Sequence, residues 1–284
     1  MTQEPELGRN VTAQAVIDGL TPPPQRAVTD GAREPEPFIR QRALERYLAR
    51  LQLSSKLSST EIEAVAGLDG EVKVVRAYRD ITRLPGSDMN VTLVAKGMIG
   101  RFHLCPSGKR AITAVYMAGD IADLESAFLP AIRWSLTALT PATIVRIPYA
   151  QLRSVIVANP GLALAFWHDM AIEASVLEQW VINLACRSAE AKLVHLLCEL
   201  GHRFERAGLG RRDDYVLPMI QAQIGDAIGL TDVHVNRMLG SLRRAGLIKP
   251  DGRRITIPSW SKVAAIGGFD PRYLHGLAAG ASIN

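Results

Sequence analysis

Cysteine is scarce in this chain, and its scarcity is the first constraint on function. Three residues, Cys105, Cys186 and Cys198, are too few and too scattered for a disulfide framework, and a four-thiolate iron–sulfur site would need one more. A reducing, cytoplasmic setting is expected. Long apolar runs are also missing. No stretch reaches the roughly 18 residues of a membrane span, because residues 154–166 are interrupted by Asn159 and Pro160. The first residues carry Glu4 and Glu6 without an apolar core, so no export signal and no membrane partner are expected. Catalytic motifs are missing as well: no nucleophile elbow, phosphate-cradling glycine loop, helical carboxylate pair or metal-binding histidine pair occurs in the needed context. Neither enzymatic activity nor a bound cofactor is expected, and no internal repeat is evident.

What is present is ordinary globular material, 48% hydrophobic and 21% charged, with a net charge of +5 and a pI near 9.3 that points mildly toward nucleic acid. Residues 1–37 are polar and broken by Pro22, Pro23, Pro24, Pro35 and Pro37, the composition of a flexible arm. Residues 38–51 place Ile39, Leu44, Tyr47, Leu48 and Leu51 on one helical stripe, and Ser59 with Thr60 suits the cap of a second helix through Val65. Short β-rich runs at 72–75, 91–95, 99–104, 112–116 and 143–147 then alternate with glycine turns, which predicts a small antiparallel barrel or roll.

After Pro160 the chain turns helical for about 24 residues. Trp167, Met170, Ala174, Leu177, Val181 and Leu184 recur there in steps of three and four, a heptad seam. Such a seam either packs on its own roll or meets a second copy in parallel; the second is the expectation. Ser188 suits a new helix cap, with Glu190 in the first turn, so Arg187 and Ser188 form a hinge. The expected organisation is an arm at 1–37, a roll with its seam helix at 38–187, and a terminal unit at 188–284.

Residues 219–248 carry the most specific pattern. Ile224, Ile228, Leu230, Val235, Leu239 and Leu242 recur at helical spacing on both sides of Gly229, which can take the positive φ of a sharp turn. Gly225 permits close approach, and Thr231 is a good N-cap. With Val235 turned inward, the second helix presents Asp232, Val233, Asn236 and Arg237, with His234 on its flank. Residues 247–249 and 253–257 read as hairpin strands around a turn at Asp251 and Gly252. Between residues 209 and 262 nine basic residues face five acidic ones, an excess of four that suits phosphate contact. A three-helix packing unit with a solvated basic face is the plainer alternative.

A roll, a seam helix, a hinge and a terminal winged helix, in that order, resemble the Crp/Fnr family of bacterial transcription regulators. The residues that carry the resemblance are VTLVAKGMIGRFHLCPSGKRAITAVYMAGD at 91–120, QAQIGDAIGLTDVHVNRMLGSLRRAGLI at 221–248 and GGFDPRYLH at 267–275. It implies an α+β fold, an antiparallel roll of the cyclic-nucleotide-binding type followed by a winged helix-turn-helix. It also implies a homodimer on an inverted-repeat operator in double-stranded DNA, with RNA polymerase as a further partner. The helix from Asp232 would enter the major groove, with Asp232, Val233, Asn236 and Arg237 reading bases, where an arginine fork fits guanine. Val233 stands where the best-known members have glutamate. Gln221, Thr231 and His234 match phosphate-holding positions, and Arg253 and Arg254 in the wing would act likewise. The expected threonine cap of the first helix is Ile220.

In the roll the resemblance departs from the cyclic-nucleotide pattern. The residues aligned with the phosphate clamp are Ala122, Asp123, Leu124 and Glu125, then Arg133, Trp134 and Ser135; a carboxylate at Asp123 would repel a phosphate and Trp134 would crowd it. No dependence on cyclic AMP is expected. Two further sets have competing readings. His195, Cys198 and His202 share a helix face that would suit a metal or a packed core, and His103 with Cys105 would suit haem or thiol sensing or simply a strand face.

Overall fold

The computed structural model describes residues 34–82, 89–129 and 134–275. Residues 1–33 of the expected arm, and Arg133, lie outside the described residues. The first helix, α1 (Glu36–Gln52), starts two residues ahead of Phe38 because Pro37 fits the first helical turn, where its missing N–H is no loss. Its stripe of Leu44, Tyr47, Leu48 and Leu51 is buried. α2 (Ser59–Ala66) is capped by Ser58, one residue earlier than expected: Ser58 Oγ accepts the Glu61 N–H, and the Glu61 carboxylate accepts the Ser58 N–H at 2.8 Å.

The roll consists of two antiparallel sheets. One has the order β1-β7-β3, with β1 (Glu71–Val75), β3 (Asn90–Lys96) and β7 (Ala142–Pro148). The other has the order β2-β6-β4-β5, with β2 (Asp80–Thr82), β4 (Met98–Leu104), β5 (Arg110–Met117) and β6 (Ser135–Ala138). β2 and β6 escape sequence reading because runs of three and four residues are too short to show a period. β3 is buried along its length, since Val91 and Leu93 pack with Tyr47 and Leu51 of α1 while Val94 packs with Ile99 and Tyr116 inside the roll.

α3 (Tyr149–Ala158) leads into α4 (Pro160–Cys186), which buries Leu162, Ala165, Phe166, Asp169, Trp180 and Asn183 on one side. The helix stops where Arg187 turns extended, and Ser188 caps α5 (Ala189–Arg206) by accepting the Ala191 N–H at 3.3 Å. The helix break therefore falls at Arg187 and Ser188. The core does not break there. Met98, Phe102, Ile112 and Leu139 of the roll share one apolar cluster with Leu193 and, beyond α5, with Ile224, Ile228 and Leu242.

The terminal unit comprises β8 (Asp214–Val216), α6 (Gln221–Ile228), α7 (Asp232–Arg244), β9 (Lys249–Asp251), β10 (Arg254–Thr256) and α8 (Trp260–Gly267). Its sheet runs β8-β10-β9. Two sequence expectations shift here. Arg254 pairs with Asp251, so the two-residue turn is Gly252 and Arg253, with Gly252 at φ +56°, rather than Asp251 and Gly252. Leu247 and Ile248 are core residues and not strand, because burying both side chains outweighs extending the hairpin by two residues.

Gly225 owes its place to backbone and not to a partner side chain. A Cβ there would lie 2.5 Å from the Leu230 carbonyl oxygen, and the Gly225 carbonyl accepts the Leu230 N–H at 3.0 Å. Gly225→Ala is expected to destabilise the protein by about 1 to 3 kcal/mol, as overpacking of a tight contact does, read as a lower denaturation midpoint with unchanged slope.

Candidate nucleic-acid interface

The candidate interface is made by α6, the turn, α7 and the wing. α6 ends at Gly229, which sits at φ +69° and donates its N–H to the Gly225 carbonyl. Ile220 has no side-chain acceptor, but its N–H is taken by Gln223 Oε1 at 3.0 Å, so half of a capping box fixes the start of α6. Gln223 also donates to the Leu139 carbonyl at 3.2 Å and so ties α6 to the roll. Thr231 caps α7, accepting the His234 N–H at 3.2 Å, and its hydroxyl lies 3.2 Å from His234 Nδ1.

Val235 and Leu242 seal the inner side of α7, which leaves Asp232, Val233, His234, Asn236 and Arg237 exposed on the other. Val233 is 72% exposed. Gln221, at the start of α6, reaches Asn236 Oδ1 at 3.4 Å, so two residues 15 positions apart join one surface. Arg237 makes no hydrogen bond or ion pair with any described residue; its five donors are available to a ligand. Asp232 accepts the N–H of Val233 at 2.8 Å, which turns its carboxylate back onto the helix start.

The two wing arginines differ. Arg253 donates to the Pro218 carbonyl and keeps its charge uncompensated, whereas Arg254 forms a two-pronged pair with Asp214 at 2.7 and 2.5 Å, reinforced by Thr256 Oγ1 at 3.2 Å. A phosphate would have to compete with Asp214 for Arg254. Sequence reading missed Asp214 because the pair closes across 40 residues of chain and β8 has no readable period.

The two histidines of the α5 set have structural partners. Within α5, His195 Nδ1 lies 3.2 Å from the Gly267 carbonyl and His202 Nε2 lies 3.1 Å from His275 Nε2, both contacts belonging to the C-terminal tail. Burial holds the His195 and His202 imidazoles down at about 4 and pushes the Cys198 thiol up to about 12, so that thiol is chemically quiet. Among the described residues no cluster of three or more His, Cys, Asp or Glu side chains is arranged to hold a metal. His103 is exposed at the end of β4, and Cys105 lies beyond the strand, in the hairpin turn.

In the roll, Asp123 is turned away from the cavity between roll and α4. Its carboxylate accepts the Thr92 N–H at 2.6 Å and the Thr92 hydroxyl at 3.0 Å, and burial pushes it up to about 6. The carboxylates that line the cavity are Glu125, Asp169 and Glu173. Arg101 pairs with Glu125 at 2.8 Å, stands 3.9 Å from Glu173, donates to Tyr116 Oη and lies 4.8 Å over the Trp134 ring. The chain's own carboxylates thus occupy its cavity arginine. No sequence signal marks this set, whose members come from separate elements.

The described residues contain no helix long and apolar enough to cross a membrane. Residues 191–266, which span α5 through most of α8, match the family model of the Crp-like helix-turn-helix domain. The "Fumarate and nitrate reduction regulatory protein" of Salmonella typhi is 22% identical to 78% of this chain, over 88% of its own length. The "Regulatory protein HlyX" of Actinobacillus pleuropneumoniae is 25% identical over 74% of this chain and 87% of its own. Among solved structures, FixK2 from Bradyrhizobium japonicum superposes with a TM-score of 0.64 at 24% identity, covering 70% of this chain and 98% of its own, and shares the fold. The first two relatives are named as regulatory proteins. The chain thus carries a Crp-like helix-turn-helix domain, shares the fold of FixK2 and is similar over most of its length to regulatory proteins of the Fnr type.

Proposed function

We propose that the chain acts as a homodimer that binds an inverted-repeat operator in double-stranded DNA through α7, without cyclic AMP, and works with RNA polymerase in the cytoplasm. The observation that carries this reading is the free Arg237 guanidinium on the exposed side of a capped helix, beside a basic wing. Gln221, Thr231, His234 and Arg253 would hold phosphates, while Asp232, Val233, Asn236 and Arg237 would face base edges. Val233 offers an apolar surface suited to a thymine methyl. We also propose Arg187 as the boundary between sensor and DNA-binding units. Selection of bound duplexes from a random pool tests the reading: inverted repeats with half-site centres about 10 to 10.5 base pairs apart are expected, and recovery of sequences without a repeat would refute it.

The occupied state of Arg101 supports independence from cyclic AMP, because a phosphate entering this cavity would have to displace Glu125 and approach Glu173. Cyclic AMP at about 1 mM is expected to change neither operator affinity nor Tm, whereas a bound ligand at 100 times its Kd would contribute about 2.7 kcal/mol, a rise of several degrees.

A further inference from the structure

A second cleft lies where the roll meets the DNA-binding unit, next to the cavity just described, with which it shares Ala114, Asp169, Glu173 and Val176. Its volume is about 160 Å³, and four arginines line it: Arg46 and Arg50 from α1, Arg203 and Arg206 from α5. Two of these have carboxylate partners. Arg50 is 2.5 Å from Asp169 and 3.4 Å from Asp120, and Arg203 is 3.0 Å from Asp120 and 3.6 Å from Glu199.

The other two have none among the described residues. Arg46 donates to the Ala95 carbonyl at 3.2 Å, and Arg206 donates to the Leu274 carbonyl and to His275 Nδ1 at 2.9 Å. Carbonyls and an imidazole position a guanidinium without neutralising it. Burial, and next the neighbouring Arg50 and Arg203, hold Arg206 below its ordinary range, so the charge sits where an added anion would be welcome. Asp120 and Asp169, the partners of Arg50 and Arg203, line the cleft together with Glu173, while Leu53, Met117, Ile172 and Val176 give it an apolar side. A cavity of about 150 Å³ takes up a benzene ring.

We propose that this junction cleft binds a small organic acid: a carboxylate on an apolar body about the size of one ring, its acidic group held by Arg46 and Arg206. Guanidinium forks match a carboxylate's two oxygens, and the apolar wall favours a ring over a solvated inorganic ion. With α1 on the roll side and α5 on the other, the ligand would bridge both units.

Equilibrium dialysis of the full chain against labelled benzoate tests this directly, whether or not the protein binds DNA. One saturable site per chain is expected, with a Kd of about 1 mM or tighter given the few atoms of the probe. Acetate, which lacks the ring, is expected to compete at least roughly tenfold more weakly. Arg206→Gln and Arg46→Gln are each expected to weaken benzoate binding by roughly tenfold or more, the loss of a charge-assisted contact. Arg206 also holds the C-terminal turn; if its variant does not fold, Arg46→Gln decides the matter alone. Absence of saturable binding up to about 20 mM, or isotherms unchanged in every folded variant, would overturn the proposal.

Discussion

Arg237→Ala is expected to cost roughly 2 to 6 kcal/mol of affinity for the full operator, because each of two copies loses a bidentate contact worth about 1 to 3 kcal/mol. The preference at one base pair in each half-site should relax, while the preferences elsewhere stay. Two features of the molecule sharpen this expectation. Arg237 has no intramolecular partner among the described residues, so its removal leaves no buried charge behind and folding stability should hardly change. α7 is also anchored at both ends, by the Thr231 cap and by Leu242 in the core, so the loss cannot be blamed on a displaced helix. Arg253→Ala should behave differently, weakening all sequences alike and lowering the salt slope by about one unit. Arg254→Ala should do so less, since Asp214 already offsets its charge. Binding isotherms on operator and random DNA across a salt series separate these signatures. Equal weakening of both DNAs by Arg237→Ala would remove α7 from the role of reader.

The second large effect is expected at Ala174. On α4 the residues Trp167, Met170, Leu177, Val181 and Leu184 are exposed by 73, 36, 46, 57 and 44%, while the opposite side of the same helix is buried. Exposed apolar side chains in one continuous stripe mark an interaction surface. The heptad spacing suits a second copy of the same helix, with Ala174 small enough at its centre for close approach. Ala174→Glu would bury a carboxylate against its own copy without a counter-charge, at a cost of roughly 3 to 5 kcal/mol, which raises the dimer Kd by roughly a hundredfold to a few thousandfold. Monomers are expected in sedimentation at micromolar concentration. A dimer of unchanged affinity would show that the seam is not the interface. Leu184, the last residue of the stripe, would also meet a Cβ placed on Gly229 at 3.3 Å, so the seam ends against the turn of the DNA-reading unit.

The helix-turn-helix could be read from the residues alone because each of its rules acts over a few positions. Gly229 takes a positive φ, Thr231 caps three residues ahead, and the apolar period of α7 sorts Val235 from Arg237. The seam of α4 and the cap at Ser188 are equally local. Errors of one or two residues arose where two local rules competed. Asp-Gly and Gly-Arg both suit a hairpin turn, and the burial of Leu247 and Ile248 settled the register in favour of the second.

What no pattern revealed was which charges meet. Arg50 finds Asp169 across 119 residues, Arg203 finds Asp120 across 83, and Arg254 finds Asp214 across 40. Tertiary packing likewise decides that Arg101 is occupied by the chain's own carboxylates, that one wing arginine is held while the other is not, and that Arg46 and Arg206 line one cleft. The physical reason is range. Backbone dihedrals and helical periods act between near neighbours and leave their mark in the order of residues, whereas the field at a guanidinium is set by whichever carboxylates the packed chain brings within a few ångströms.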